Sequence, residues 1–171
     1  MEHLMYPIGR FSPKADYSAE EVATFLTTIE TYPQKLRDLV AGKSAEDCKK
    51  YYREGSWDVA QLLHHLADMQ LFYLVRSKMA LTEENPAAPA VQINAWGHTP
   101  EAINPPVEPS LAMIEATHVR LSNLFRSLND EQLNLTYFHP ARQVNLSIKQ
   151  TIYMAAWHIE HHHEHIRIAF M

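Results

Sequence analysis

Six of the ten prolines in this chain fall between residues 82 and 109, in the stretch TEENPAAPAVQINAWGHTPEAINPPVEP. Proline lacks an amide proton and its ring clashes with the preceding helical turn, so no single helix crosses this stretch. It reads as a long connection between two blocks in which apolar residues recur at helical intervals. The first segment runs from about Ser18 to Val40, with Ser18 and Glu21 at capping-box spacing and Val22, Phe25, Leu26, Ile29, Leu36 and Leu39 as its stripe. Pro33 interrupts that stripe and predicts a kink. The second segment follows Gly55-Ser56, with Ser56 as the expected cap, and runs to about Leu81. After the connection come a third segment, about Ser110 to Leu128, and a short turn over Asp130–Leu133. Thr136 to Asn145 reads as loop or a brief extended pair, and a fourth segment opens at the Ser147/Gln150 capping box and reaches about Ala169. No convincing strand alternation competes. The expectation is an all-α single domain over residues 1–171, an antiparallel four-helix bundle with one long crossover connection.

The balance of charge narrows the partners. Twenty acidic residues against 15 basic ones give a net charge of -5, and no Lys/Arg cluster stands out, so nucleic acid is not an expected partner. There is no run of about 18 apolar residues and no apolar signal segment, so no membrane is expected either, and the cytoplasm is the expected location. One cysteine, Cys48, cannot form an internal disulfide. It lies beside Lys49 and Lys50 in a polar segment, and no nucleophilic role is expected of it.

Histidine is the residue that departs from ordinary composition. There are 11, and five of them (His158, His161, His162, His163 and His165) lie within one short stretch of the fourth segment. Glu160 and Glu164 break the run, and it sits inside a hydrophobic repeat, unlike a polyhistidine tag. At about 100° per residue from Ala155, the stripe Ile148, Ile152, Ile159, Ile166 and Ala169 falls within about 60°. His162 lies at about -20° and His158 at about -60°, both inward, while His161 and His165 sit on the flank at about -120° and -80°. Glu160, Glu164 and Arg167 fall on the solvent side. An inward pair of histidines four residues apart has the spacing that grips one ion in helical metal sites. On the second segment, His64 and His65 compete for a third position, and the stripe of Leu62, Met69 and Phe72 favours His65. Three neutral imidazoles with no carboxylate suit zinc and tolerate nickel, cobalt, iron or manganese, and leave at least one coordination position open, as catalytic sites do. Asp68 and the flanking histidines are candidates to orient the ligating rings.

Several motifs carry a resemblance over nearly the whole length: Tyr6-Pro-Ile-Gly-Arg-Phe11, Trp57 to Asp68 with its HHLAD core, Arg76 to Glu83, Ala95-Trp96, Pro106-Val107, and Ala156 to His165. In these the chain resembles the DinB/YfiT-like family of metal-dependent hydrolases, whose YfiT branch includes bacillithiol S-transferases. The paired HHLAD and WHxxHH elements make the resemblance specific. It implies metal ligands at His65, His158 and His162, a bound zinc or nickel ion, a four-helix bundle and homodimeric pairing. Ile159-Glu160 and His163 depart from the pattern of that branch. The implied chemistry is activation of a small nucleophile by the ion: a small-molecule thiol attacking an electrophilic substrate, or water in a hydrolysis. Metal or ligand binding without turnover is the competing class, against which the open coordination position argues.

Other residues keep alternatives open. His118, inward on the third segment, is a fourth ligand, a proton shuttle or a core histidine with its hydrogen bonds met. Arg76, eleven residues after His65, lies within about 20° of the same face and roughly 16 Å along the axis. It either meets an anionic substrate group or pairs with an acidic neighbour. Trp96 floors a pocket or anchors the crossover. His3, His98 and His139 have no partner at ligand spacing and are expected on the surface.

Overall fold

Three of the four long helices described open on a side-chain capping box. The computed structural model describes residues 2–103 and 106–171; Met1 and residues 104 and 105 of the proline-rich connection lie outside that description. The helices are α1 (Glu2–Met5), α2 (Ala19–Val40), α3 (Val59–Thr82), α4 (Ile93–Trp96), α5 (Pro100–Ile103), α6 (Glu108–Arg126), α7 (Asp130–Leu133) and α8 (Ile148–Ala169). A 3-10 turn spans Asp47–Lys49, and strands β1 (Thr136–His139) and β2 (Val144–Ser147) form an antiparallel pair, Thr136 opposite Ser147. Ser18 and Ser147 each close a full capping box on α2 and α8. The expected cap at Ser56 is corrected to Asp58, which closes a box with Gln61. The Ser56 hydroxyl is turned away, within 2.8 Å of the Arg53 carbonyl oxygen, and Asp58 supplies the same acceptor with a charge that also suits the helix dipole. Helix α6 starts at Glu108, two residues ahead of the expected Ser110, because Pro109 is tolerated in a first turn, where its missing N–H is not needed.

Pro33 does not break α2. A proline at that position leaves the carbonyl of the residue four before it, Ile29, without its usual helical donor. His118 of α6 fills the gap, its Nδ1–H donating to the Ile29 carbonyl oxygen at 2.7 Å.

Four long helices, α2, α3, α6 and α8, make the bundle, each of α2 and α3 packing between α6 and α8. Their directions follow from the pairs they bring together. Tyr17 and Phe25 meet Tyr153 while Lys35 reaches Glu160, so α2 and α8 run the same way. Arg37 bonds Glu108 while Arg126 bonds Glu30, so α2 and α6 run oppositely. His65 faces His162 while Tyr73 faces His158, so α3 and α8 run oppositely. In chain order the bundle is up, down, down, up, and the connection after α3 must travel the bundle's length to start α6 in the same direction. The described residues between α3 and α6, 83–103 and 106–107, therefore belong to the expected crossover, with α4 and α5 as single turns inside it. It is pinned to the β1 strand by Ala88 N–H to Phe138 O (2.9 Å) and Phe138 N–H to Pro86 O (2.8 Å), and to α3 by Gln61 Nε2 to Gly97 O (2.6 Å). The core is apolar, with Ile29, Leu62, Leu63, Leu66, Leu121, Ile152, Ala155, Ile159 and Ile166 almost wholly enclosed. Truncating one such leucine to alanine costs about 2–5 kcal/mol. Among the described residues, no helix is long and apolar enough to cross a membrane.

Candidate metal centre

Where α3 and α8 pass antiparallel, three histidine rings converge. His65 comes from the second turn of α3; His158 and His162 lie one turn apart on α8, half-buried rather than fully inward, while His161 and His165, expected on the flank, are buried. The Nε2 atoms of His65 and His158 are 2.9 Å apart. Ring centroids stand 4.9 Å apart for His65 and His158, 4.9 Å for His65 and His162, and 4.6 Å for His158 and His162. One nitrogen from each ring lies within 4.8 Å of the others.

Enclosure decides the charge of the cluster. Burial, helped by the neighbouring His161, pushes the His65 pKa down to about 4. Burial first, and then the other histidines, holds His158 and His162 well below the ordinary imidazole value. At neutral pH all three rings are uncharged and present lone pairs, the form in which imidazole binds metal. A tetrahedral ion with bonds of about 2.0–2.1 Å separates its nitrogen ligands by about 3.3 Å, so the His65–His158 pair would open by only a few tenths of an ångström. The donor set fits a borderline divalent ion such as zinc or nickel.

The surroundings hold the rings in place. His162 Nδ1 lies 3.2 Å from His165 Nδ1, which leaves its Nε2 for His65 and His158. His165 is itself buried and stacked on Tyr52, 3.9 Å between centroids and 12° between planes. His161 stacks on Trp157 at 4.5 Å. Both flank histidines are thus enclosed, and His161, His162 and His165 form a second group with nitrogens within 4.8 Å. The two groups share His162. Trp57 backs His65 at 4.9 Å, and Gly97 backs Trp57: a Cβ at Gly97 would stand 2.7 Å from the indole ring. His158 Nδ1 is buried and has no hydrogen-bond partner among the described residues. Asp68, whose carboxyl burial pushes up, lines a small cavity with His64 and His65, but bonds neither ring among the described residues.

In front of the cluster opens a cavity of about 420 Å³, walled by Met69, Tyr73 and Arg76 of α3, Met154, Trp157 and His158 of α8, crossover residues 89–91 and 93, and residues 139–142 of the β hairpin. Arg76 is buried, its Nε without a partner, and it takes part in none of the ion pairs among the described residues. The acidic-neighbour alternative for Arg76 therefore gives way to a place on the cavity wall. His139 is a correction: it was expected on the surface and is buried in this wall, where burial and the positive charges of Arg76 and Arg142 push its pKa down to about 4. Its ligand-free spacing in sequence hid it, because only the hairpin's docking brings it there. Arg142 and the crossover walls were missed for the same reason.

The remaining candidates separate cleanly. His118 lies outside both histidine groups, buried and bonded to Ile29. His64 turns away, its Nδ1 2.7 Å from Ser110 Oγ. Trp96 packs on Phe72 at 5.5 Å and also lines the small cavity beside His65. Cys48 is corrected from a polar setting to a buried one, which pushes its thiol pKa up. His3 and His98 are exposed, as expected.

Comparison with known proteins adds an independent line. Residues 28–166 match the DinB superfamily. A protein of Oceanobacillus iheyensis, provisionally named a metal-dependent hydrolase, is 40% identical over 166 residues, covering 96% of this chain and 94% of that one. YfiT of Bacillus subtilis, similarly named, is 32% identical over 164 residues, covering 96% and 92%. The solved structure of YfiT, described as an unusual four-helix bundle topology, superposes with a TM-score of 0.93 over 96% of this chain and 94% of that one.

Proposed function

This chain belongs to the DinB superfamily, and from that membership and the histidine cluster we propose that it is a metal-dependent enzyme in which His65, His158 and His162 hold one divalent ion, zinc or nickel, for transfer of a small thiol to an electrophilic substrate. When bound, the ion supplies positive charge that keeps a thiol or a water ionised near neutral pH. The lining of the cavity is the observation that carries thiol transfer. Hydrolysis of an ester or amide calls for a group that takes a proton from water and hands it to the leaving atom, the role of the glutamate in H-E-x-x-H sites. Among the described residues, no aspartate or glutamate lines this cavity, and His139 in its wall is a weak base, because burial and the charges of Arg76 and Arg142 disfavour its protonated form. A thiol makes the smaller demand, since its pKa of about 8.5 needs little lowering and the thiolate attacks without a base. Arg76 and Arg142 add positive potential in the same space, and Met69, Met154, Val91 and Ile93 give it apolar walls.

The names carried by the relatives favour a second reading, hydrolysis with water in the thiol's place. One experiment separates the two. Protein purified without a nickel resin and loaded with zinc or nickel is mixed with bacillithiol and chlorobimane, or with ester and amide substrates. The expected result is conjugation that disappears on chelation and in His158→Ala, with about one ion per native chain by elemental analysis. Ester or amide hydrolysis without conjugation overturns thiol transfer, and full metal content and activity in His158→Ala overturn the metal centre itself.

A further inference from the structure

Two guanidinium groups and a histidine share the cavity with the metal-centre rings, and among the described residues no carboxylate lines it. We propose that the far end of this cavity is an anion subsite, in which Arg76 and Arg142 hold the carboxylate of an organic substrate while its reacting end lies against His65 and His158. This rests on the metal-centred reading for the identity of the reacting end, and on the arginines alone for the anion.

Arg76 carries most of the weight. It is 3% exposed, and its Nε is enclosed without a partner. Its guanidinium carbon stands 5.5 Å from the Phe72 ring and 6.0 Å from the Tyr73 ring, contacts that offset part of the desolvation of the charge. Burying a charge without its counter-charge is costly, and buried arginines are ordinarily paired. A fork of donors held open at a cavity wall matches a carboxylate in geometry as well as charge. Arg142 is placed from the other side. It sits in the turn between β1 and β2, its N–H bonded to the His139 carbonyl at 3.1 Å, and its guanidinium lies over Phe11 at 4.7 Å. His139 feels both arginines, so the two positive charges bear on one region.

The subsite and the metal centre are close neighbours. Tyr73 stands between them, its ring 6.0 Å from that of His158 and 6.0 Å from the Arg76 guanidinium carbon. The remaining walls are apolar, among them Pro89, Val91, Ile93 and Met154. A volume of about 420 Å³ suits a small organic acid with an apolar body better than a bare inorganic ion.

The test measures binding by calorimetry, with 4-phenylbutyrate, its uncharged amide and inorganic phosphate as probes, on metal-free and zinc-loaded protein. The expected result is carboxylate binding in both forms, at least tenfold tighter than the amide and tighter than phosphate. Arg76→Gln should weaken it tenfold or more at unchanged zinc content, and Arg76→Lys by less. Arg142→Gln, on an exposed turn, should weaken it several-fold and decides the matter if the Arg76 variants do not fold. Equal binding of acid and amide, tighter binding of phosphate, or native affinity in the folded arginine variants overturns the proposal. Binding that requires zinc also overturns it, by placing the carboxylate on the ion. Loss of the subsite with conjugation intact would sink this inference alone, whereas failure of zinc binding would sink only the enzyme reading.

Discussion

The gap that Pro33 leaves in α2 and the histidine that fills it make a pair whose energies should not add. His118→Leu removes the donor to the Ile29 carbonyl, at 2.7 Å, in a place where neither residue meets solvent. A buried carbonyl stripped of its partner loses about 1–3 kcal/mol. Pro33→Ala restores the backbone N–H that bonds this carbonyl in an uninterrupted helix and removes the proline ring from its path. In the Pro33→Ala background, His118→Leu should therefore cost at least about 1 kcal/mol less than in the native chain. Urea unfolding of the metal-free protein at pH 7.5, on the native chain, both single variants and the double variant, reads the coupling directly. Additivity within about 0.5 kcal/mol would refute the account of Pro33 and His118 as one device.

Two further outcomes follow from the same coordinates. Burial holds the His118 pKa down to about 4, so the unfolded chain takes up this proton first as the pH falls. Its contribution is complete above about pH 6.5 and is lost toward pH 4, about 2 kcal/mol of it by pH 5. His118→Asn keeps an N–H for Ile29 without the titration and should flatten the loss of stability between pH 7.5 and pH 5 by that amount; parallel curves for the two proteins would contradict it. Gly97→Ala places a Cβ 2.7 Å from the Trp57 ring that backs His65, and overpacking of this kind costs about 1–3 kcal/mol. Thermal unfolding should show that loss, together with weaker zinc binding in a chelator competition, and unchanged values in both assays would dismiss the Gly97–Trp57–His65 support.

What could be read in the sequence is what depends on neighbours along the chain. The capping boxes at Ser18 and Ser147 and the apolar stripe of α8 are set within two turns of helix, and the structure places them as their spacing predicts. The phase that put His158 and His162 inward and His161 and His165 on the flank did not foresee that the latter two would be the more deeply buried. His65 over His64 was likewise a matter of local phase, and the resemblance named the same residue. The misreadings have a common cause. His139 and Arg142 reach the cavity only because a two-stranded hairpin folds onto the bundle, and Cys48 is buried because its 3-10 turn packs on α3. Pro33 shows the reverse: the sequence marks a break, and a histidine 85 residues away, bonded across two helices, repairs it. Ser56 and Asp58 both offer an acceptor for the start of α3, and only the turn at Arg53 decides between them.

The crossover that the up-down-down-up order demands also forms one side of the cavity. Its residues 89–91 and 93 line the cavity, and of these only Ile93 also packs against the core that joins the long helices. A lineage can therefore lengthen, shorten or repaint that strap and obtain a different substrate preference while the histidines stay where the rods hold them. One wall of the cavity can thus change in length and composition while the wall built by α3 and α8, which carries the histidines, stays fixed.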